Sequence, residues 1–186
     1  MDLRAIEEFS IALAKGSGQV LRKYFGKIDR VLTKSTGIDL VTEADLESED
    51  YITKTIKAKF PSHDIIAEES DNTKGRSRYK WVIDPLDGTT NFVHNLPIFS
   101  CSIGLQKNNK TILGVVYNPA VDKCFYAEKN GAAFLNGKSI HITSTNTLSD
   151  SLLVTGFPYD HDDRWEKGFD LFRELSGKTQ GIRRLG

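Results

Sequence analysis

Apolar residues at Leu3, Ile6, Phe9, Leu13, Val20, Leu21 and Tyr24 recur at helical spacing and predict a long packed helix running to about Phe25. Gly16-Ser17-Gly18 interrupts this helix with two poor helix formers, which is tolerated where a neighbouring element approaches closely. The stretch "VLTKSTGIDLVT" then predicts two short strands around a turn at Gly37. Thr42 followed by Asp45 is a helix-start signal that places Asp45 at the third helical position of a second helix ending near Pro61. Asp45, Ile52 and Ile56 are spaced to share one helix face, so Asp45 should look inward. A capping role for this carboxylate is the competing reading.

From Asp64 onward the pattern becomes mostly strand: "DIIAEE", "KWVID", "FSCSIGLQ", "TILGVVYNP", "KCFYAEK" and "AAFLNGKSI". The segments between them, "KNNK", "NPAVD", "EKNG" and "NG", are turn chemistry suited to antiparallel hairpins, so an antiparallel meander is expected. "SLLVTGF" predicts a further strand, its near-continuous apolar run suited to a sheet covered on both faces. "RWEKGFDLFRELSG" has helical spacing at Trp165, Phe169, Phe172 and Leu175, and "GIRRLG" opens another element. The polar stretch at 143–150 divides an N-terminal α+β subdomain, 1–147, from the start of a second α/β subdomain, 148–186.

Charge narrows the function classes. The 25 Lys and Arg balance 25 Asp and Glu, so no global positive field draws the chain to nucleic acid or an anionic membrane, and affinity for a phosphate must be local. No apolar run suits a signal peptide or a membrane span, and a soluble, cytoplasmic protein is expected. Cys101 and Cys124 lie in strand-like runs without metal-ligand spacing and read as buried free thiols in a reducing compartment. His63, His94, His141 and His161 show no ligand spacing either and read as surface or hydrogen-bonded histidines. "DHDD", 160–163, reads as a solvated loop.

The chemistry concentrates in "WVIDPLDGTTNF", 81–92. Pro85 cannot donate to a sheet ladder, so the strand is expected to end there and leave Asp84 and Asp87 projecting from a turn. Gly88 permits a tight backbone, and Thr89 and Thr90 suit the opening of a helix whose free N–H groups attract an anion. Carboxylates beside an anion site are compatible when a divalent cation lies between them, and hard oxygen ligands suit Mg²⁺. A turn in which both aspartates bond only to backbone N–H groups is the structural alternative. Glu68 and Glu69 close another predicted strand, and a glutamate joins the cluster if neighbouring strands end at the same rim.

Together "GIDLVTEAD", "IIAEES", "WVIDPLDGTTNFVHNLPIFSCSIGL" and "GAAFLNGKSI" resemble the inositol monophosphatase family, within a wider group of Mg²⁺-dependent, lithium-sensitive sugar phosphatases. The resemblance implies a layered α/β sugar-phosphatase fold. It implies two or three Mg²⁺ ions held by Glu68, Asp84, the Leu86 carbonyl and Asp87, with Gly88, Thr89 and Gly186 at the substrate. Asp45 matches the aspartate that pairs with the threonine at Thr89 to orient the attacking water. The implied reaction is in-line hydrolysis of a phosphomonoester by metal-activated water, with inositol 1-monophosphate the first substrate and a homodimer the expected assembly. Fructose 1,6-bisphosphate, 3′-phosphoadenosine 5′-phosphate, or a noncatalytic binding role are the alternatives. Members of the family continue past the position of Gly186 and supply a further metal-binding aspartate there. A C-terminally incomplete chain, with an open-sided second subdomain and little activity of its own, is therefore expected.

Overall fold

The computed structural model describes residues 2–27, 31–33, 40–68, 77–158 and 162–185. The expected turn at Gly37, and Glu69, Asp160, His161 and Gly186, lie outside them. Asp2 caps α1 (Leu3–Tyr24) by accepting from the Arg4 N–H. The helix buries Ile6, Leu13, Val20 and Leu21, while Leu3, ahead of the buried stripe, is exposed. The glycine triplet allows two close approaches. A Cβ on Gly16 would stand 2.1 Å from the Tyr51 hydroxyl, and one on Gly18 would stand 2.4 Å from the Tyr117 ring. Between them the Ser17 hydroxyl meets that of Ser48 at 2.7 Å.

Strands β1 (Val31–Thr33) and β2 (Leu40–Thr42) pair antiparallel. They lead into α2 (Glu43–Lys59), whose capping box joins Thr42 and Asp45. Asp45, Ile52 and Ile56 all face inward and are buried.

A seven-stranded sheet follows in the order β3 (Asp64–Ala67), β4 (Tyr79–Asp87), β5 (Ser100–Lys107), β6 (Lys110–Asn118), β7 (Lys123–Glu128), β8 (Ala133–Leu135) and β9 (Lys138–Ile140). From β4 to β9 it is the expected antiparallel meander. Asn108 and Asn109 turn the β5–β6 hairpin and Asn136-Gly137 the β8–β9 hairpin, all four at positive φ, as two-residue hairpin turns require. The meander expectation fails at β3, which pairs parallel to β4 with Ile66 opposite Val82. Both strands therefore end at the same rim of the sheet.

Helices α1 and α2 cover one face of this sheet. Trp81, Ile83, Cys101, Ile103, Leu105, Leu113, Val115 and Tyr117 alternate inward along β4, β5 and β6 to meet them. Full burial of one such large apolar side chain contributes about 1.5–3 kcal/mol, so this layer fixes where the ends of β3 and β4 sit. Both cysteines are buried and free.

The remaining elements are β10 (Leu152–Thr155), α4 (Asp163–Ser176) and β11 (Gly181–Arg184), with β10 and β11 parallel. Asp162 caps α4 by accepting from the Arg164 and Trp165 N–H groups, which corrects the reading of Asp162 and Asp163 as a solvated loop. As expected of an open-sided second subdomain, the apolar strand is not covered on both faces. Leu152 and Val154 are 58% and 63% exposed, because α4 reaches Phe157 through Phe169, with ring centroids 4.3 Å apart, instead of lying over both faces.

Candidate active site at the rim of strands β3 and β4

Contrary to expectation, Pro85 does not stop β4. Asp84 pairs with Ser102 and Asp87 with Ser100, and the register shifts between them. The proline occupies a bulge, where no ladder donor is required of it. The bulge turns Asp84 and Asp87 out of regular alternation while the strand continues into Gly88, whose φ of +89° is the left-handed conformation that glycine tolerates. The Ile98 carbonyl would stand only 3.0 Å from a Cβ at Gly88. Thr89 and Thr90 then open α3 (Thr89–Val93) as expected.

Asp45 fills both roles weighed from the sequence, one with each oxygen. Its Oδ2 accepts from the Thr42 N–H at 2.8 Å and the Thr42 hydroxyl at 2.5 Å. Its Oδ1 faces the Thr89 hydroxyl at 3.3 Å. That hydroxyl also lies 3.1 Å from the Leu86 carbonyl, and with a single proton it donates fully to only one of the two. Burial raises the Asp45 pKa against hydrogen bonds from Thr42 and Thr89 that favour the charged form.

Asp84 is half-buried, and its Oδ1 accepts from the Leu86 N–H at 3.2 Å. Burial, the charges of Glu68 and Asp87, and a hydrogen bond with Glu68 push its carboxyl up to about 8. The parallel pairing of β3 and β4 thus brings Glu68 to Asp84, with Asp87 beside them. Among the described residues no three acidic, histidine or cysteine side chains are drawn tightly enough to hold an ion as they stand. The charged groups acting on Asp84 are both negative, which is the electrostatics a divalent cation relieves. Carboxylate and carbonyl oxygens are also the donors Mg²⁺ prefers. The residues present therefore fit that ion.

Three supports were not singled out from the sequence. The Ser48 hydroxyl reaches the Pro85 carbonyl at 3.3 Å, and Ser17 reaches Ser48. Ser48 lies three residues after Asp45 on the inward face, a placement the helical period could have supplied. The Asn91 amide donates to the Ile98 and Leu185 carbonyls, and no periodicity announces a contact across 94 residues.

The profile of the inositol monophosphatase family matches residues 2–186. The chain is 39% identical over 186 residues to an inositol-1-monophosphatase of Synechocystis sp., covering all of this chain and 65% of that protein. It is 37% identical over 179 residues to a fructose-1,6-bisphosphatase/inositol-1-monophosphatase of Thermotoga maritima, covering 96% of this chain and 67% of that one. An inositol monophosphatase structure from Anabaena (Nostoc) sp. superposes with a TM-score of 0.86 at 37% identity, over the whole of this chain and 68% of that one. Extragenic suppressor protein suhB from Bartonella henselae does so with 0.92 at 31% identity, over 98% of this chain and 70% of that one. The chain thus spans about two thirds of the length of these relatives. With the family profile running through the β3 and β4 rim and on to β11, the chain belongs to the inositol monophosphatase family.

Proposed function

We propose that this protein hydrolyses phosphate monoesters of sugar alcohols with Mg²⁺, inositol monophosphate first among them. The observation that carries the reading is the contact chain from Asp45 through the Thr89 hydroxyl to the Leu86 carbonyl, set beside the carboxylates of Glu68, Asp84 and Asp87. Glu68, Asp84, the Leu86 carbonyl and Asp87 would hold the metal, in two or three ions. Mg²⁺ held there supplies charge neutralisation for the phosphate and lowers the pKa of a bound water.

The chain's own residues do the rest. When Thr89 donates its proton to Asp45 Oδ1, its lone pairs face outward to orient a water, and the Leu86 carbonyl is released from that hydrogen bond. Asp45, whose pKa burial raises, takes the Thr89 proton as Thr89 takes one from the water, so one proton passes from the water to Asp45. The water oxygen forms the new bond to phosphorus, the ester P–O bond breaks, and the bridging oxygen leaves as the alkoxide and takes up a proton from solvent water to become the alcohol, while Asp45 returns its proton to solvent. Gly88, without a Cβ, admits the Ile98 carbonyl against the turn, and the Gly88 and Thr89 N–H groups would meet the phosphate.

Fructose 1,6-bisphosphate is the second substrate, supported by the double name of the Thermotoga relative. A homodimer in a reducing cytoplasm completes the reading, in keeping with two buried free thiols. The test is phosphate release from inositol 1-phosphate and fructose 1,6-bisphosphate with and without Mg²⁺, for a parent protein extended to the full length of its relatives and for Asp87→Asn in that background. Expected are Mg²⁺-dependent turnover, inhibition by Li⁺, and loss of most of kcat in the variant. Turnover indifferent to Mg²⁺, or undiminished in Asp87→Asn, would overturn it.

A further inference from the structure

A cleft of about 350 Å³ opens beside the candidate site, lined among others by Asp87, Gly88, Asn91, Ile98, Asn118 and Leu185. Asn91 is the third residue of α3. Its amide nitrogen has two protons, and both are engaged: one by the Ile98 carbonyl at 2.8 Å, the other by the Leu185 carbonyl at 2.5 Å. The first acceptor is the carbonyl that presses on Gly88. The second lies at the end of β11. We infer that Asn91 is a positioning residue: its amide ties the end of β11 to the Gly88 turn and so fixes the width of the cleft that receives the non-phosphate part of the substrate.

Asn118 lines the same cleft, but its amide nitrogen donates to the Pro97 carbonyl, and its oxygen accepts from the Ala120 and Val121 N–H groups. It therefore braces the 97–99 segment and the β6–β7 turn without touching β11. Aspartate at position 91 has nearly the shape of asparagine, yet it has no proton to offer and sets a negative charge against two carbonyl oxygens. The substitution Asn91→Asp thus removes the tie and keeps the volume, whereas Asn91→Ala removes both.

The inference rests on the phosphatase reading for its effect on substrate, but not for the tie itself, and the experiment separates the two. Amide hydrogen exchange in residues 181–185 and steady-state hydrolysis of inositol 1-phosphate are measured for the parent, Asn91→Asp, Asn91→Ala and Asn118→Ala, with exchange in β5 and β6 as the control for folding. Both Asn91 variants are expected to exchange about tenfold faster in 181–185, the loss of one hydrogen bond, with Asn118→Ala at the parental rate there. KM should rise about five- to tenfold in the Asn91 variants, with kcat within about twofold of the parent. Unchanged exchange in 181–185, or an equal rise in Asn118→Ala, overturns the tie. A fall in kcat at constant KM overturns the positioning role. If the parent extended to its relatives' full length releases no phosphate, the phosphatase reading fails, and the exchange result alone decides whether the tie stands.

Discussion

His63 shows how a residue's neighbours decide its protonation. Its Nδ1 accepts from the Trp81 indole N–H at 3.1 Å, and its ring stacks between Phe60 and Tyr79. Burial lowers its pKa, against the nearby Asp64 charge that would raise it. An unfolded chain therefore binds this proton at a higher pH than the folded one. Stability from this group is complete above the ordinary histidine value of about 6.5 and is lost as pH falls through it toward the depressed folded value. Thermal midpoints at pH 7.5 and 5.5 should fall further for the parent than for His63→Gln, which cannot take up a proton in this range. Equal falls would show that the histidine does not titrate differently on folding. Asp84 makes a second test. Asp84→Asn removes a carboxyl that must take up a proton on folding to sit beside Glu68 and Asp87, so in EDTA near neutral pH the variant should unfold at a higher temperature than the parent. Added Mg²⁺ should raise the midpoint of the parent only, and a parent less stable in EDTA by no measurable margin would weigh against the crowded-carboxylate reading. At this scale the sequence was informative where period and cap coincide, as at Asp45. The Asn91 contacts were invisible because they depend on where β11 returns.

Among elements, α1 carries its information in what it omits. The Gly16-Ser17-Gly18 interruption reads as a close approach, and the structure supplies Tyr51 and Tyr117 as the neighbours. Gly18→Ala would drive a Cβ to 2.4 Å from the Tyr117 ring, whose hydroxyl is anchored on Asp122 at 2.8 Å and cannot simply swing away. A loss of about 1–3 kcal/mol is expected in denaturant unfolding. Gly114 in β6 is the contrast. Nothing lies within 4 Å of its Cβ position, so Gly114→Ala should be neutral or stabilise by about 0.5–1 kcal/mol. If both substitutions cost the same, tight packing on α1 is not what retains Gly18. The hairpins from β4 to β9 were legible because Asn-Asn and Asn-Gly specify two-residue turns. The parallel β3–β4 pair was not, since strand composition does not encode direction. The bulge at Pro85 was misjudged because a proline excludes a ladder donor, not a strand.

For the whole molecule, burial is unevenly distributed, and that sets where it opens first. The core cluster joins α1 and α2 to β4, β5 and β6, whereas α4 buries none of its residues. Leu152, Val154, Phe169, Leu171 and Phe172 are exposed. Apolar area removed from water is the main favourable term in holding an element closed, so β10, α4 and β11 should open with far less free energy than the seven-stranded sheet. The exposed ion pairs of α4, Arg173 with Asp170 and Lys178 with Glu174, add little, as surface pairs generally do. Native-state hydrogen exchange should therefore find the amides of α4 exchanging on the order of a hundredfold faster than those of β5. Mild denaturant should release β10, α4 and β11 in a step that precedes the loss of the Trp81 fluorescence signal. Trp165, on α4, gives an independent report, and Trp165→Phe leaves Trp81 as the single tryptophan. One cooperative transition with equal exchange in α4 and β5 would mean that contacts between the two regions, the Asn91 tie among them, hold more of the molecule together than the burial pattern implies.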